Sequence, residues 1–400
     1  MAQRKPSLPK TTERNPILVD RRNLKMACSA HRYVRGSTAK FYEWLSTTSG
    51  ESLPSGPPVW ICGDCHIGNI GPIANAKGHI EIEIRDLDQT VIGNPAHDLV
   101  RLGLSLASAA RSSDLPGVMT AKIIEQMIDG YQTAFVDPQE AQTTERPEAV
   151  HRALKAAIGR KWKQLAEERI QDTSPSIPLG KRYWPITRDE RSAIHELFAS
   201  EKARRLVTAL RQRPDDAAIE VLDAAYWVKG CSSLGVPRYA VLVGIDGPKG
   251  ELCLVDIKGA VAALAPRAPD VKMPKDNAER VVEGAWRLSP ALGDRMFATQ
   301  LLGQSAFVRE LLPQDLKLEI DHLPPDEATR VARFLANIVG RAHARQMDDK
   351  ARKAWFNDLR RHRSKTLDAP SWLWNSVVEL LTIHEGAYLE HCRRFANVAA

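Results

Sequence analysis

The chain has 400 residues, 43% hydrophobic and 26% charged, with a formal net charge of +7. That length suits two or three packed units with a sizeable core. No apolar run reaches the roughly 18 residues of a membrane helix, and the polar start has no apolar signal segment. Six sparse cysteines fit free thiols, so a cytoplasmic protein is expected.

In chain order, residues 1–20 read as a flexible arm. Residues 23–45 carry a helical pattern with Arg35 and Gly36 near its middle, and 46–58 are a loop rich in Ser, Thr, Gly and Pro. Val59–Ile61 reads as a short buried strand, and Ile80–Ile84 alternates Ile and Glu as a half-buried strand does. Asn94 and Pro95 break the chain before an apolar helix over 96–111. Residues 119–215 are mainly helical and charged, with a Pro-rich interruption at 174–187; their basic face reads as solvated, since no nucleic-acid-binding motif accompanies it. Residues 219–312 turn β-rich, with a hairpin in RYAVLVGIDGPKGELCLVDIKGA, a helix over 277–288 and a strand over 307–311. Helices follow over 326–347 and 371–395. Trp184, Trp372 and Trp374 read as core aromatics.

The stretch WICGDCHIGNIG at 60–71 has two readings. Its C-x-x-C-H (Cys62, Cys65, His66) is a haem-attachment spacing, but no export signal accompanies it. Zinc needs about four ligands, usually from two such pairs, and one pair is present. The alternative is oxygen chemistry. Asp64 and Asn69 lie in a turn after one strand, and Asp86 ends the next, with Asp88 as its substitute. Two carboxylates and an amide oxygen suit Mg²⁺ carrying a nucleotide, with one carboxylate free to activate a hydroxyl. Farther on, Gly230, Ser232, Ser233 and Gly235 form a small-residue loop of the kind that admits phosphates to backbone N–H groups. Lys258 ends a β-run as a phosphate-binding kinase lysine does, and Glu283, or Glu279 one turn earlier, stands on the next helix as its partner.

The order G-D-x-H-x-G-N, D-L-D, G-N-P-A-H-D-L resembles the small-molecule kinases of the protein-kinase-like fold, the aminoglycoside and choline phosphotransferases. That resemblance implies Asp64 as catalytic base, Asn69 and Asp86 as metal ligands, His66 at the catalytic loop and Asp98 as a buried brace for it. Cys62 stands where those enzymes have His. The ATP-binding half follows the catalytic loop instead of preceding it, so a circular permutation is implied. The chain also resembles the bacterial DUF2252 family through MACSAHRYVRGS, CGDCHIGNIG, IRDLDQTVIGNPAHDLVRLGLSLASAAR, GCSSLG, DIKGA, RVVEGAW, FVREL and RAHAR, over about 20–396. Arg35 falls in the first of these and is a candidate phosphate contact.

The expected architecture is therefore α+β: a permuted two-lobe kinase-like fold. After the arm come a catalytic-lobe part over 21–218, a β-rich ATP-binding part over 219–315 and a completing helical part over 316–400. The expected function is ATP- and Mg²⁺-dependent phosphoryl transfer to a small hydroxylated acceptor. AMP transfer to a protein and a non-catalytic nucleotide-binding module are the alternatives. Nucleotide and acceptor are the expected partners; membrane and nucleic acid are not.

Overall fold

The computed structural model describes residues 8–47, 50, 52–113, 115–136, 145–170, 176–209, 213–229, 236–247, 250–318, 324–361, 363 and 367–395. The fold is mixed α+β. It begins with α1 (Arg14–Ala27), α2 (Ala30–Gly36) and α3 (Thr38–Leu45). The single helix expected over 23–45 is thus three. Ser29 caps α2 by accepting from the Arg32 N–H, and Ser37 leaves helical geometry at φ −108° and ψ 46°. Serine competes for backbone partners in this way, favouring helix ends over helix interiors.

The expected arm over 1–20 also needs correction. From Arg14 onward it is α1. Leu18 is buried against the sheet, and Arg14 makes a buried ion pair with Glu190 at 2.6 Å. Residues 1–7 lie outside the described residues.

Two short strand pairs follow, the second a hairpin lying within the connection of the first. β1 (Val59–Ile61) pairs with β4 (Val91–Gly93), and β2 (Ile70–Ala74) pairs with β3 (Ile80–Ile84), both antiparallel. The strands expected at 59–61 and 80–84 exist, but each pairs with a neighbour the sequence pattern did not expose. α4 (Pro95–Ser112) starts on Asn94, whose side chain accepts from Ala96 N–H, with Pro95 in the first turn. It packs with α5 (Gly117–Val136) and with two late helices, α12 (Pro325–Ala344) and α14 (Ser371–Phe395), around the larger core.

Between these helices run α6 (Glu148–Ile158), α7 (Trp162–Arg169), β5 (Tyr183–Trp184), α8 (Arg188–Phe198) and α9 (Glu201–Thr208). The main sheet then completes with β6 (Ile219–Trp227), β7 (Arg238–Ile245), β8 (Glu251–Gly259), β9 (Met296–Leu301) and β10 (Gln304–Leu311). Its order is β5-β6-β7-β8-β10-β9, all antiparallel. The β-rich part therefore reaches back to β5. α10 (Asn277–Leu288) and α11 (Pro290–Gly293) lie between β8 and β9 in sequence; α13 (Asp349–Arg361) follows α12.

Period-2 alternation divides β8. Cys253, Val255 and Ile257 enter the core shared with α1, α8 and α9. Asp256 and Lys258 take the other face and are buried there. The expected tryptophan roles agree: Trp184 is buried, and Trp372 and Trp374 pack on the larger core.

Arg14→Ala leaves Glu190 a buried carboxylate without its cation. We expect a loss of about 3 kcal/mol in chemical denaturation. An unchanged midpoint would mean that α1 is not anchored to the sheet.

Candidate functional site

The loop after β1 is held by one face of α4. Asp98, Arg101 and Ser105 recur at helical spacing, and all three have no solvent exposure. Asp98 accepts the N–H groups of Cys62 at 2.7 Å and Gly63 at 2.9 Å. Arg101 donates to Asp64 Oδ1 at 2.9 Å and to the Val34 carbonyl at 2.8 Å. Ser105 accepts from Ile67 N–H at 3.2 Å. Behind Asp98 stands His343 of α12, whose Nε2 lies 3.2 Å from the Asp98 carboxylate. Its Nδ1 meets the Tyr131 hydroxyl at 2.9 Å, which also accepts from Trp355 at 3.3 Å. Loop geometry demands glycine twice. Gly63 has φ +74°, and a Cβ there would strike the Gln89 carbonyl. At Gly68 a Cβ would lie 2.7 Å from the Arg35 guanidinium carbon, so its absence lets Arg35 approach.

Asn69 ties the loop to the turn after β3. Its backbone carbonyl accepts from Arg85 N–H at 2.8 Å, and its side-chain amide donates to the Asp86 carbonyl at 2.7 Å. The amide oxygen is left as the acceptor of that side chain. Lys258 reaches across from β8. Its ammonium contacts Asp88 and lies 3.5 Å from Asp86 Oδ1. The Asp88 Oδ1 atom is buried without a hydrogen-bond partner.

The electrostatics follow from this packing. Burial raises the Asp64 carboxyl, and the Arg101 charge opposes the rise. The Asp86 side chain is half open to solvent, so the desolvation that pushes its carboxyl up is partial; Lys258 and Arg309 outweigh it and hold Asp86 well below the usual carboxylate range. Burial and then the Asp86 charge push Asp88 up to about 6. Two carboxylates around one ammonium titrate as a pair. Burial, then Arg35 and Arg101, keep His66 well below its ordinary value and hence neutral.

Two cavities meet at His66, Asn69 and Asp86. The smaller, about 150 Å³, is lined by Asp64, Asp88 and Gln89. The larger, about 410 Å³, lies under the main sheet. On its helical side are Lys25 of α1, Arg32 and Arg35 of α2, and Arg169 of α7. Arg85 and Lys317 come from segments after β3 and β10. The sheet contributes Arg238 and Arg309, and Lys229 lies just past the end of β6. Arg238 Nε and Arg309 Nε share Asp256, at 2.7 and 3.1 Å.

The structure thus brings Asp64, His66, Asn69, Asp86, Asp88, Arg35 and Lys258 to one region. It does not bring Glu283 there. Glu283 pairs with Arg287 at 3.0 Å on its own helix, and Glu279 is exposed. The buried face of α10 is Ala278, Val281, Ala285 and Leu288, and Glu283 is about 200° round the helix from Val281. Arg280 faces inward instead, donating to the carbonyls of Thr90, Asp88 and Val261. Gly230, Ser232, Ser233 and Gly235 lie outside the described residues. Cys62 and Cys65 are fully buried free thiols hydrogen-bonded to each other. Among the described residues no group of His, Cys, Asp and Glu could hold a metal by itself.

Sequence reasoning missed Arg101, Arg280 and His343 as supports. Arg101 had a readable signal, as a lone cation in the apolar run of α4. Arg280 and His343 act on segments about 190 and 245 residues away.

A family model matches residues 14–394, that of DUF2252, described as an uncharacterized protein conserved in bacteria. The chain belongs to DUF2252. No curated protein and no solved structure matches it. The match begins at Arg14, which among the described residues is also the first buried side chain of this DUF2252 chain.

Asp98→Ala orphans two buried backbone donors and should cost about 3 kcal/mol. It should also expose Cys62 and Cys65 to thiol reagents that modify only more accessible cysteines, such as Cys28, in the native wild type. Rapid native labelling of Cys62 would show that the loop is not clamped.

Proposed function

We propose that the protein is a magnesium- and nucleotide-dependent phosphotransferase acting on a hydroxyl group. The observation that carries the reading is the convergence of Asp64, Asn69, Asp86, Asp88 and Lys258 on one cleft, although Lys258 is 172 residues from Asp86. Further support comes from topology. β8 carries the lysine and α10 follows it before β9, the order of the lysine strand and the next helix in a kinase-like nucleotide lobe, although Glu283 on α10 does not face Lys258. The end of α12 also abuts β1: Gln346 accepts from Trp60 N–H at 2.9 Å and donates to its carbonyl at 3.0 Å. That adjacency suits a kinase-like chain opened between the helix and the catalytic loop.

The donor set fits a hard cation. Asp86 is half exposed, Asp88 keeps an orphaned oxygen, and Asn69 offers an amide oxygen. Magnesium prefers such oxygens together with phosphates and water. These three residues would hold it, and its charge would offset that of the phosphate oxygens. Lys258 supplies the neighbouring positive charge from the sheet.

In the reaction Asp64 orients the acceptor hydroxyl through Oδ2, while Arg101 fixes Oδ1. The acceptor oxygen forms a bond to the terminal phosphorus, the bond from phosphorus to the nucleoside diphosphate oxygen breaks, and the hydroxyl proton passes to Asp64. Neutral His66 beside Asp64 adds no competing charge.

Calorimetry with MgATP and MgGTP tests the reading. Wild type should bind one of them; Asp86→Ala and Lys258→Ala should each bind at least about tenfold more weakly. Asp64→Asn should retain binding and lose transfer. The product should gain a phosphoryl group; an adenylyl gain would move the chemistry to AMP transfer. Wild type that binds neither nucleotide would overturn the proposal.

A further inference from the structure

The larger cavity carries more positive charge than the reaction centre uses. Nine Lys and Arg side chains line it, against the carboxylates of Asp86 and Asp315. Asp315 is already paired with Arg295 at 3.0 Å, and Asp256 in the sheet is shared by Arg238 and Arg309. Among the described residues Lys229 and Lys317 have no ion-pair partner; Lys229 lies over the Trp227 ring at 4.3 Å. Burial, then Arg238 and Arg169, hold Lys229 well below its ordinary range. Lys317 is exposed; partial desolvation, then the crowding charges of Arg35, Arg85, Lys25 and Arg169, bring it down to about 8.

Cations gathered in a cavity lose hydration and repel one another. An anionic occupant removes both costs. A metal-bound triphosphate has part of its charge neutralised by the ion, so it leaves much of this cavity uncompensated. The volume of about 410 Å³ is that of a small-molecule pocket, not a polymer channel. Isolated apolar residues line it (Ile73, Leu165, Leu311, Leu312), and the remaining wall is polar or charged.

We propose that this cavity binds a small molecule bearing several phosphate groups, held on Lys229 and on the Lys317, Arg35 and Arg85 cluster. Its assignment as the acceptor rests on the transfer reading above: a free hydroxyl at the His66–Asp86 edge would be the group phosphorylated. The binding itself does not rest on that reading.

The test is calorimetry in magnesium-free buffer at moderate salt, with sodium tripolyphosphate and fructose 1,6-bisphosphate as probes. Wild type should bind at least one of them at a single saturable site. Lys229→Gln and Lys317→Gln should each weaken binding about tenfold or more. Lys155→Gln, on the exposed face of α6, should leave it unchanged. Both cavity substitutions remove a repelled charge, so their unfolding midpoints should not fall, which separates lost binding from lost fold. Binding that persists at saturating MgATP supports a site separate from the nucleotide. Competitive displacement by MgATP, with Lys317→Gln weakening both equally, would make the cavity the nucleotide's own phosphate site and overturn the acceptor assignment. No saturable binding, or equal weakening by Lys155→Gln, would overturn the site. Probe binding without any ATP or GTP binding upholds the site and removes the transfer reading alone.

Discussion

The polar stripe on α4 is the constraint on which the rest of the site depends. Asp98, Arg101 and Ser105 sit on an otherwise apolar helix in the largest core. Buried polar groups are tolerated there because each has a partner in the loop at 62–67. The stripe thereby does two things. It satisfies backbone donors that an irregular buried loop would otherwise leave open, and it fixes the direction of the Asp64 carboxylate. The line from Trp355 through Tyr131 and His343 to Asp98 carries that fixity into α5, α12 and α13. The loop is thus supported by rigid helices from behind.

Charge is organised in the opposite manner on the cleft side. Behind the loop, every cation met so far has an acceptor. In front of it, Lys258 stands between two carboxylates, and beyond Asp86 the cations outnumber the carboxylates. Such an arrangement lowers the stability of the empty protein and favours ligands of opposite sign. At the cleft the sheet face bearing Asp256 and Lys258 is polar for the same reason, while the rest of that face (Ala240, Leu242, Leu254) and the opposite face pack apolar cores.

Chain order and spatial order diverge. The turn at 86–88 meets the sheet at Lys258, and α12 returns to β1 through Gln346 and Trp60. Contacts of such long sequence separation incur a loop-closure cost before they stabilise. The antiparallel sheet avoids part of it: β6, β7 and β8 are sequential neighbours, as are β9 and β10.

Much of this was legible in the residues. Period-2 and helical patterns placed Ile80–Ile84, the β7–β8 hairpin, α10 and the late helices, because local burial dictates local periodicity. Asp64, Asn69, Asp86, Asp88 and Lys258 were legible as residue types that an expected chemistry of oxygen ligands and a cation would need together, and the fold gathers them at one cleft. Other features are decided by packing alone. The short strands β2 and β4 exist through their partners, α1 becomes ordered through Leu18 and Arg14 against the sheet, and Ser29 and Ser37 end helices through caps and backbone geometry. Glu283 looked like the partner of Lys258 because it sits on the right helix. Only the rotation of α10 in three dimensions shows that Arg280 faces inward. The basic cavity has the same origin: its nine cations are scattered from Lys25 to Lys317, and sequence spacing holds no record of which side chains a fold will gather.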